Sequence, residues 1–133
     1  DELRRQRQMC IRDRYNNTIE KPSVNYIAKN IINIAKKIKS SSSNTKVYVQ
    51  TLLPISNKKS YKYYETYNQS IKRINKIIIE NQVDGLYSVI DLYSLFVDNK
   101  GQLRNDLTYD GLHLNEQGYI VWSKFVKPIT DSL

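Results

Sequence analysis

The string Asp110-Gly111-Leu112-His113-Leu114-Asn115 sets a carboxylate three positions before an imidazole, in a glycine-containing turn. His113 is the single histidine among 133 residues. Imidazole is the side chain that ordinarily exchanges its proton near neutral pH, which suits it to proton transfer. An aspartate bonded to one ring nitrogen would fix the tautomer and leave the other nitrogen to take and return a proton. That is the base-and-orienter half of a Ser-His-Asp machine. A lone histidine is commonly a surface or structural residue. Asp110 shifts the balance toward catalysis, and so does the pair's place after a strand and a long loop, where α/β proteins carry functional groups. No second histidine or nearby cysteine offers a metal set, and the one cysteine is Cys10. No metal or cofactor is expected.

The other half of such a machine is harder to find. The four glycines are Gly85, Gly101, Gly111 and Gly118. Nucleophile elbows and phosphate-cradling loops need glycine for tight turns and close backbone approach, so the stretch before Gly85 carries neither. No Gly-Asp-Ser string occurs in the 133 residues. The run Ser40–Ser43 follows a helical pattern and reads as a linker, not a nucleophile.

The elements that must position the pair show in the periodicity. Val24, Ile27, Ala28, Ile31, Ile34, Ala35 and Ile38 recur at helical spacing, with Pro22 suited to the first turn. Lys46–Leu53 is rich in Val, Tyr and Thr and fits a strand stopped by Pro54. A second helix fits Lys62–Gln82, with Tyr67, Ile71, Ile74 and Ile78 on one face. Gly85 precedes a second strand, Leu86–Asp91. Leu92–Phe96 reads as one turn, and Asp98–Tyr109 as a loop. Asn115 should cap a last helix, Glu116 to Ile129, carrying Ile120, Val121, Trp122 and Phe125. Alternating helix and strand argues for a parallel sheet covered by helices. Two strands are fewer than a doubly wound sheet uses, so the pattern reads as the C-terminal half of an α/β domain.

Formal net charge is +8. The basic residues fall beside the apolar stripes: Lys29, Lys36, Lys37 and Lys39 on one helix, Lys72, Arg73 and Lys76 on another. They read as solvated faces, so no nucleic-acid partner is expected. No apolar run approaches the roughly 18 residues needed to span a bilayer. Residues 1–14 differ from the rest: Arg4, Arg5, Arg7, Arg12 and Arg14 cluster there, while later basic residues are mostly lysine. The run Arg7–Arg14 resembles translated sequencing-adapter read-through. Residues 1–14 are therefore expected to be a non-native or disordered segment, with a frayed basic arm as the alternative.

The extended string Asp110-Gly-Leu-His113-Leu-Asn-Glu-Gln-Gly118-Tyr-Ile-Val-Trp122 resembles the last block of the SGNH hydrolases, also called the GDSL lipase/esterase family. Lys46–Pro54 resembles the strand and Pro turn after that family's third block, and Ile90–Phe96 its penultimate strand and turn. The resemblance runs over residues 15–133. It implies a flavodoxin-like three-layer α/β/α fold with a parallel sheet whose N-terminal strands are missing. It implies a serine-type carboxylic ester hydrolase acting on a small-molecule ester, such as an acetyl group on a carbohydrate. His113 would be general base and then general acid, and Asp110 its orienter. The family's nucleophile is the serine of a Gly-Asp-Ser block. Its oxyanion hole uses that serine's N–H, a glycine N–H and an asparagine from a Gly-x-Asn-Asp block. None of these has a match here, since Cys10-Ile11-Arg12-Asp13 shares only Asp13. The chain as given is thus expected to be inactive, and the alternative is a non-catalytic SGNH-like binding module. Family analogy favours a secreted or periplasmic parent. Oligomeric state is not legible.

Overall fold

The computed structural model describes residues 23–59 and 63–131. Expectations for residues 1–14, for Asp13 and for Pro22 lie outside the described residues.

Helix α1 spans Val24–Ser41. The Ser23 side chain caps it, its hydroxyl accepting the Tyr26 backbone N–H at 3.4 Å. The helix runs on through Ser40 and Ser41, which the sequence suggested as loop, and the Ser40 hydroxyl bonds back to the Lys37 carbonyl. Its inward face is narrower than the periodicity predicts. Ile27, Ala28 and Ala35 are buried, while Ile34 is 38% exposed. Lys29, Lys36 and Lys37 are exposed, as solvated faces require.

Strand β1 (Tyr48–Gln50) pairs in parallel with β2 (Ser88–Ile90), in the register Tyr48–Ser88, Val49–Val89, Gln50–Ile90. Both are shorter than the expected Lys46–Leu53 and Leu86–Asp91. The ladder is extended at its ends only by single bonds, Ser88 N–H to the Val47 carbonyl and Thr51 N–H to the Ile90 carbonyl. Beyond Thr51 the Leu52 backbone turns to a side-chain partner, Asn75. Helix α2 (Tyr64–Glu80) is the crossover that a parallel pair requires. It buries Ile71, Ile74 and Ile78, each 0% exposed, and leaves Lys72, Arg73 and Lys76 exposed.

Two buried asparagines on α2 hold the segment after β1. Asn75 takes the Leu52 N–H at 2.7 Å and gives its amide to the Leu52 carbonyl at 2.9 Å. Asn68 does the same for Ile55, at 2.6 and 2.8 Å. Each amide replaces the partner strand that this backbone would otherwise need.

After β2, Leu92–Phe96 forms the short helix α3, burying Leu92 and Phe96. The loop beyond it has structure of its own. Val97 bridges Leu103, the Asp98 carboxylate accepts the N–H groups of Lys100 and Gln102, and Asn105–Leu107 makes a 3-10 turn. Helix α4 spans Glu116–Asp131. Gly118 and Val126 are its buried positions, while Ile120 and Phe125 are 40% and 39% exposed.

The described residues divide into two compact units. One holds α1, β1, α2 from Ser70, and β2; the other holds Leu53–Gln69 and the chain from Leu92 onward. The architecture is α/β with a parallel sheet, the class expected of an SGNH fold.

Candidate active site

Asp110 and His113 meet. The Asp110 Oδ2 atom lies 2.6 Å from His113 Nδ1. The other carboxylate oxygen, Oδ1, accepts two backbone N–H groups, those of Leu112 at 2.9 Å and His113 at 2.7 Å. A carboxylate bonding to N–H groups two and three residues ahead is the local geometry that aspartate favours at turns and helix starts. One oxygen is thereby tied to the turn, and the other is aimed at the ring. With Nδ1 donating to Asp110, Nε2 is the acceptor.

The carboxyl of Asp110 is held below its ordinary pKa. Burial alone would raise it, but the backbone N–H of His113, the His113 ring and the Leu112 N–H together outweigh that burial. Asp110 therefore stays ionised beside the ring, as an orienter of an imidazole must. The Asp110 side chain is 12% exposed and that of His113 33%, so the carboxylate is covered while the ring remains reachable.

Thr108 ties the turn together. Its hydroxyl accepts the Gly111 N–H at 2.9 Å and donates to the His113 carbonyl. Gly111 is required for two reasons. Its φ is +89°, a left-handed conformation that L side chains rarely adopt, and a Cβ there would lie 2.9 Å from the Ser56 carbonyl oxygen. Ser56 docks on this turn, its N–H bonding the Gly111 carbonyl at 2.8 Å and its hydroxyl bonding Asn105 Oδ1 at 3.2 Å. Lys58 adds a bond from its ammonium to the Thr108 carbonyl at 2.8 Å.

The helix that follows starts as Asn115 predicts. Asn115 Oδ1 accepts the Gly118 N–H at 2.8 Å, and its amide donates to the Asp106 carbonyl at 3.0 Å. Gly118 lets this first turn press on the 3-10 turn, since a Cβ there would fall 2.4 Å from the Leu107 carbonyl oxygen. The Asp110–His113 turn is thus bonded to the Ser56 loop and runs directly into the α4 start.

Tyr109 completes the surroundings. Its ring stacks on His113 with centroids 6.0 Å apart and planes inclined by 15°. Sequence reading passed over Ser56, Lys58, Thr108 and Tyr109. Tyr109 and Thr108 could have been suspected from adjacency to Asp110. Ser56 lies 55 positions from Gly111 with no local signal joining them. Among the described residues, no group of three or more His, Cys, Asp or Glu side chains could hold a metal ion. No helix of the described residues is long and apolar enough to cross a membrane.

Comparison with known proteins bears on the same residues. No curated protein matches the chain. A solved structure from Streptococcus pneumonia, provisionally named a platelet activating factor, aligns with a TM-score of 0.69 at 25% identity. The alignment covers 81% of this chain and 52% of that one, so the chain spans about half the length of its structural relative. The sequence model of the GDSL-like lipase/acylhydrolase family matches residues 12–121, which include Asp110 and His113. A match over most of the chain, on an α/β fold with a parallel sheet, places this protein in the GDSL-like lipase/acylhydrolase family.

Proposed function

We propose that Asp110 and His113 are the orienter and the base of a serine-type carboxylic ester hydrolase. The observation that carries this reading is the 2.6 Å contact between Asp110 Oδ2 and His113 Nδ1, with the second carboxylate oxygen fixed by two backbone N–H groups. In the reaction, His113 Nε2 takes the proton of a serine hydroxyl as that oxygen attacks the ester carbonyl. The same nitrogen returns the proton to the departing alcohol, and the cycle repeats with water to release the acid. Asp110 keeps the ring in the reactive tautomer and stabilises the imidazolium while it exists. The preferred ester is a small acyl group, such as acetyl, on a carbohydrate or similar alcohol.

The nucleophile and the oxyanion donors are not among these 133 residues, which contain no Gly-Asp-Ser string. The chain by itself should therefore turn over p-nitrophenyl acetate no faster than free imidazole does. The decisive test uses the gene product with its upstream sequence. A Gly-Asp-Ser block there, with hydrolysis that drops about 10⁴-fold or more in His113→Ala, supports the enzyme. An upstream sequence without that block would favour the non-catalytic binding module. Hydrolysis by the 133-residue chain that vanishes in His113→Ala would sink the assignment of the nucleophile to another segment.

A further inference from the structure

The mechanism leaves one neighbour of His113 without a role. Tyr109 is 59% exposed, and its ring lies nearly parallel to the imidazole at 6.0 Å. Its backbone is not free to wander. The Lys58 ammonium bonds the Thr108 carbonyl, the Thr108 hydroxyl bonds both Gly111 and His113, and Asp110 is tied to the turn through its own side chain. An aromatic side chain with this much exposed surface gains little from folding. A ring fixed beside a general base is, however, well placed to meet what that base acts on.

We infer that Tyr109 is a substrate-contacting residue that selects esters whose alcohol part has a flat, C–H-lined face, such as a pyranose ring. The inference rests on the ester-hydrolase reading above. When His113 Nε2 hands a proton to the leaving oxygen, that oxygen must come within hydrogen-bond reach of the ring, roughly 3 Å. The same surface carries a phenol ring whose centroid is 6.0 Å from the imidazole's, open to the carbon skeleton attached to that oxygen. A sugar face can lie against that ring. A two-carbon alcohol leaves most of it in water. Tyr109 would thus act on the alcohol side of the ester and leave the acyl side to other residues.

The test compares two acetate esters, a mono-acetylated methyl glucopyranoside and ethyl acetate, on the full gene product. Replacing Tyr109 by Ala should lower the ratio of kcat/KM for the sugar ester over ethyl acetate by about threefold to tenfold, the range expected for one lost aromatic contact. The change should appear mainly in KM, and Tyr109→Phe, which keeps the ring, should hold the ratio near that of the unsubstituted protein. An equal fall on both esters would mean that Tyr109 only positions His113, and would overturn the inference. So would an unchanged ratio. Failure of the ester-hydrolase reading has a different signature: the unsubstituted protein cleaves neither ester. In that case the platform is read by NMR on the 133-residue chain, where His113 supplies the only histidine signals. Added methyl glucopyranoside should shift the His113 ring protons in the unsubstituted chain and not in Tyr109→Ala. No shift in either would remove the platform too.

Discussion

The two compact units use the same means to hold their shapes but in different measure. The unit with α1, β1, β2 and the end of α2 is filled by aliphatic side chains at regular spacing. Ile27, Ala28 and Ala35 come from one helix, Ile71, Ile74 and Ile78 from the other, and Val49 and Ile90 from the strands. The unit with the Asp110–His113 pair also has apolar filling, from Leu92, Phe96, Leu103, Leu107 and Leu114. Its loops are held in addition by side chains bonded to backbone groups, a device the first unit uses at Leu52 through Asn75. Asn68 holds Ile55, Thr108 holds Gly111 and His113, Asp98 holds Lys100 and Gln102, and Asn115 holds Gly118. A regular frame tolerates a change of shape that keeps the volume. A turn whose backbone groups bond a hydroxyl loses those bonds when the hydroxyl is removed, even if the volume is kept.

Substitution can break this contrast. In the frame, Ile74→Ala should destabilise by about 2–5 kcal/mol, since a fully buried side chain leaves a cavity, whereas Ile74→Val should cost about 0.5–1.5 kcal/mol. Urea unfolding of the protein measures both. Equal losses would mean that volume is not what the frame depends on. In the site unit, Thr108→Val keeps the volume and removes the hydroxyl. It should still cost about 1–3 kcal/mol, because the Gly111 N–H and the His113 carbonyl lose their partner. A Thr108→Val protein as stable as the original would show that these bonds do not set the turn. The smallest effect is a pH dependence confined to the site. The folded state holds the Asp110 carboxyl below its ordinary value, so folding favours its ionised form. That contribution is complete above the ordinary carboxylate range and is lost as pH falls from about 4 through the lower folded value. Asp110→Asn should flatten this acid-side decline in the urea midpoint. Parallel curves for the two proteins would mean that Asp110 gains nothing on folding.

Much of the architecture was legible because periodicity reports which face of an element is inside. Ile71, Ile74 and Ile78 are spaced for one face of a helix and are all fully buried. Residue type says less about a helix's buried positions where a small residue makes the contact. The last helix carries Ile120, Val121, Trp122 and Phe125, yet Gly118 and Val126 are its buried positions. Close backbone approach at Gly118 draws the helix in at a point where no bulky side chain could sit. The strands came out shorter than their β-rich runs for a related reason. Past Thr51 the backbone of Leu52 bonds the Asn75 amide in place of a neighbouring strand, and residue type alone cannot reveal that choice.

The Asp110–His113 pair divides along the same line. Sequence by itself determined that Asp110 and His113 would meet, because the carboxylate, the turn glycine and the imidazole lie within four consecutive residues and their bonds are local. It also determined the family, through the string that runs from Asp110 to Trp122. Only the tertiary structure decided what presses on that turn. Ser56 reaches Gly111 across 55 positions, and Lys58 reaches the Thr108 carbonyl across 50. Contacts between distant segments depend on how the chain closes on itself, and no local pattern of residue types encodes where that closure falls.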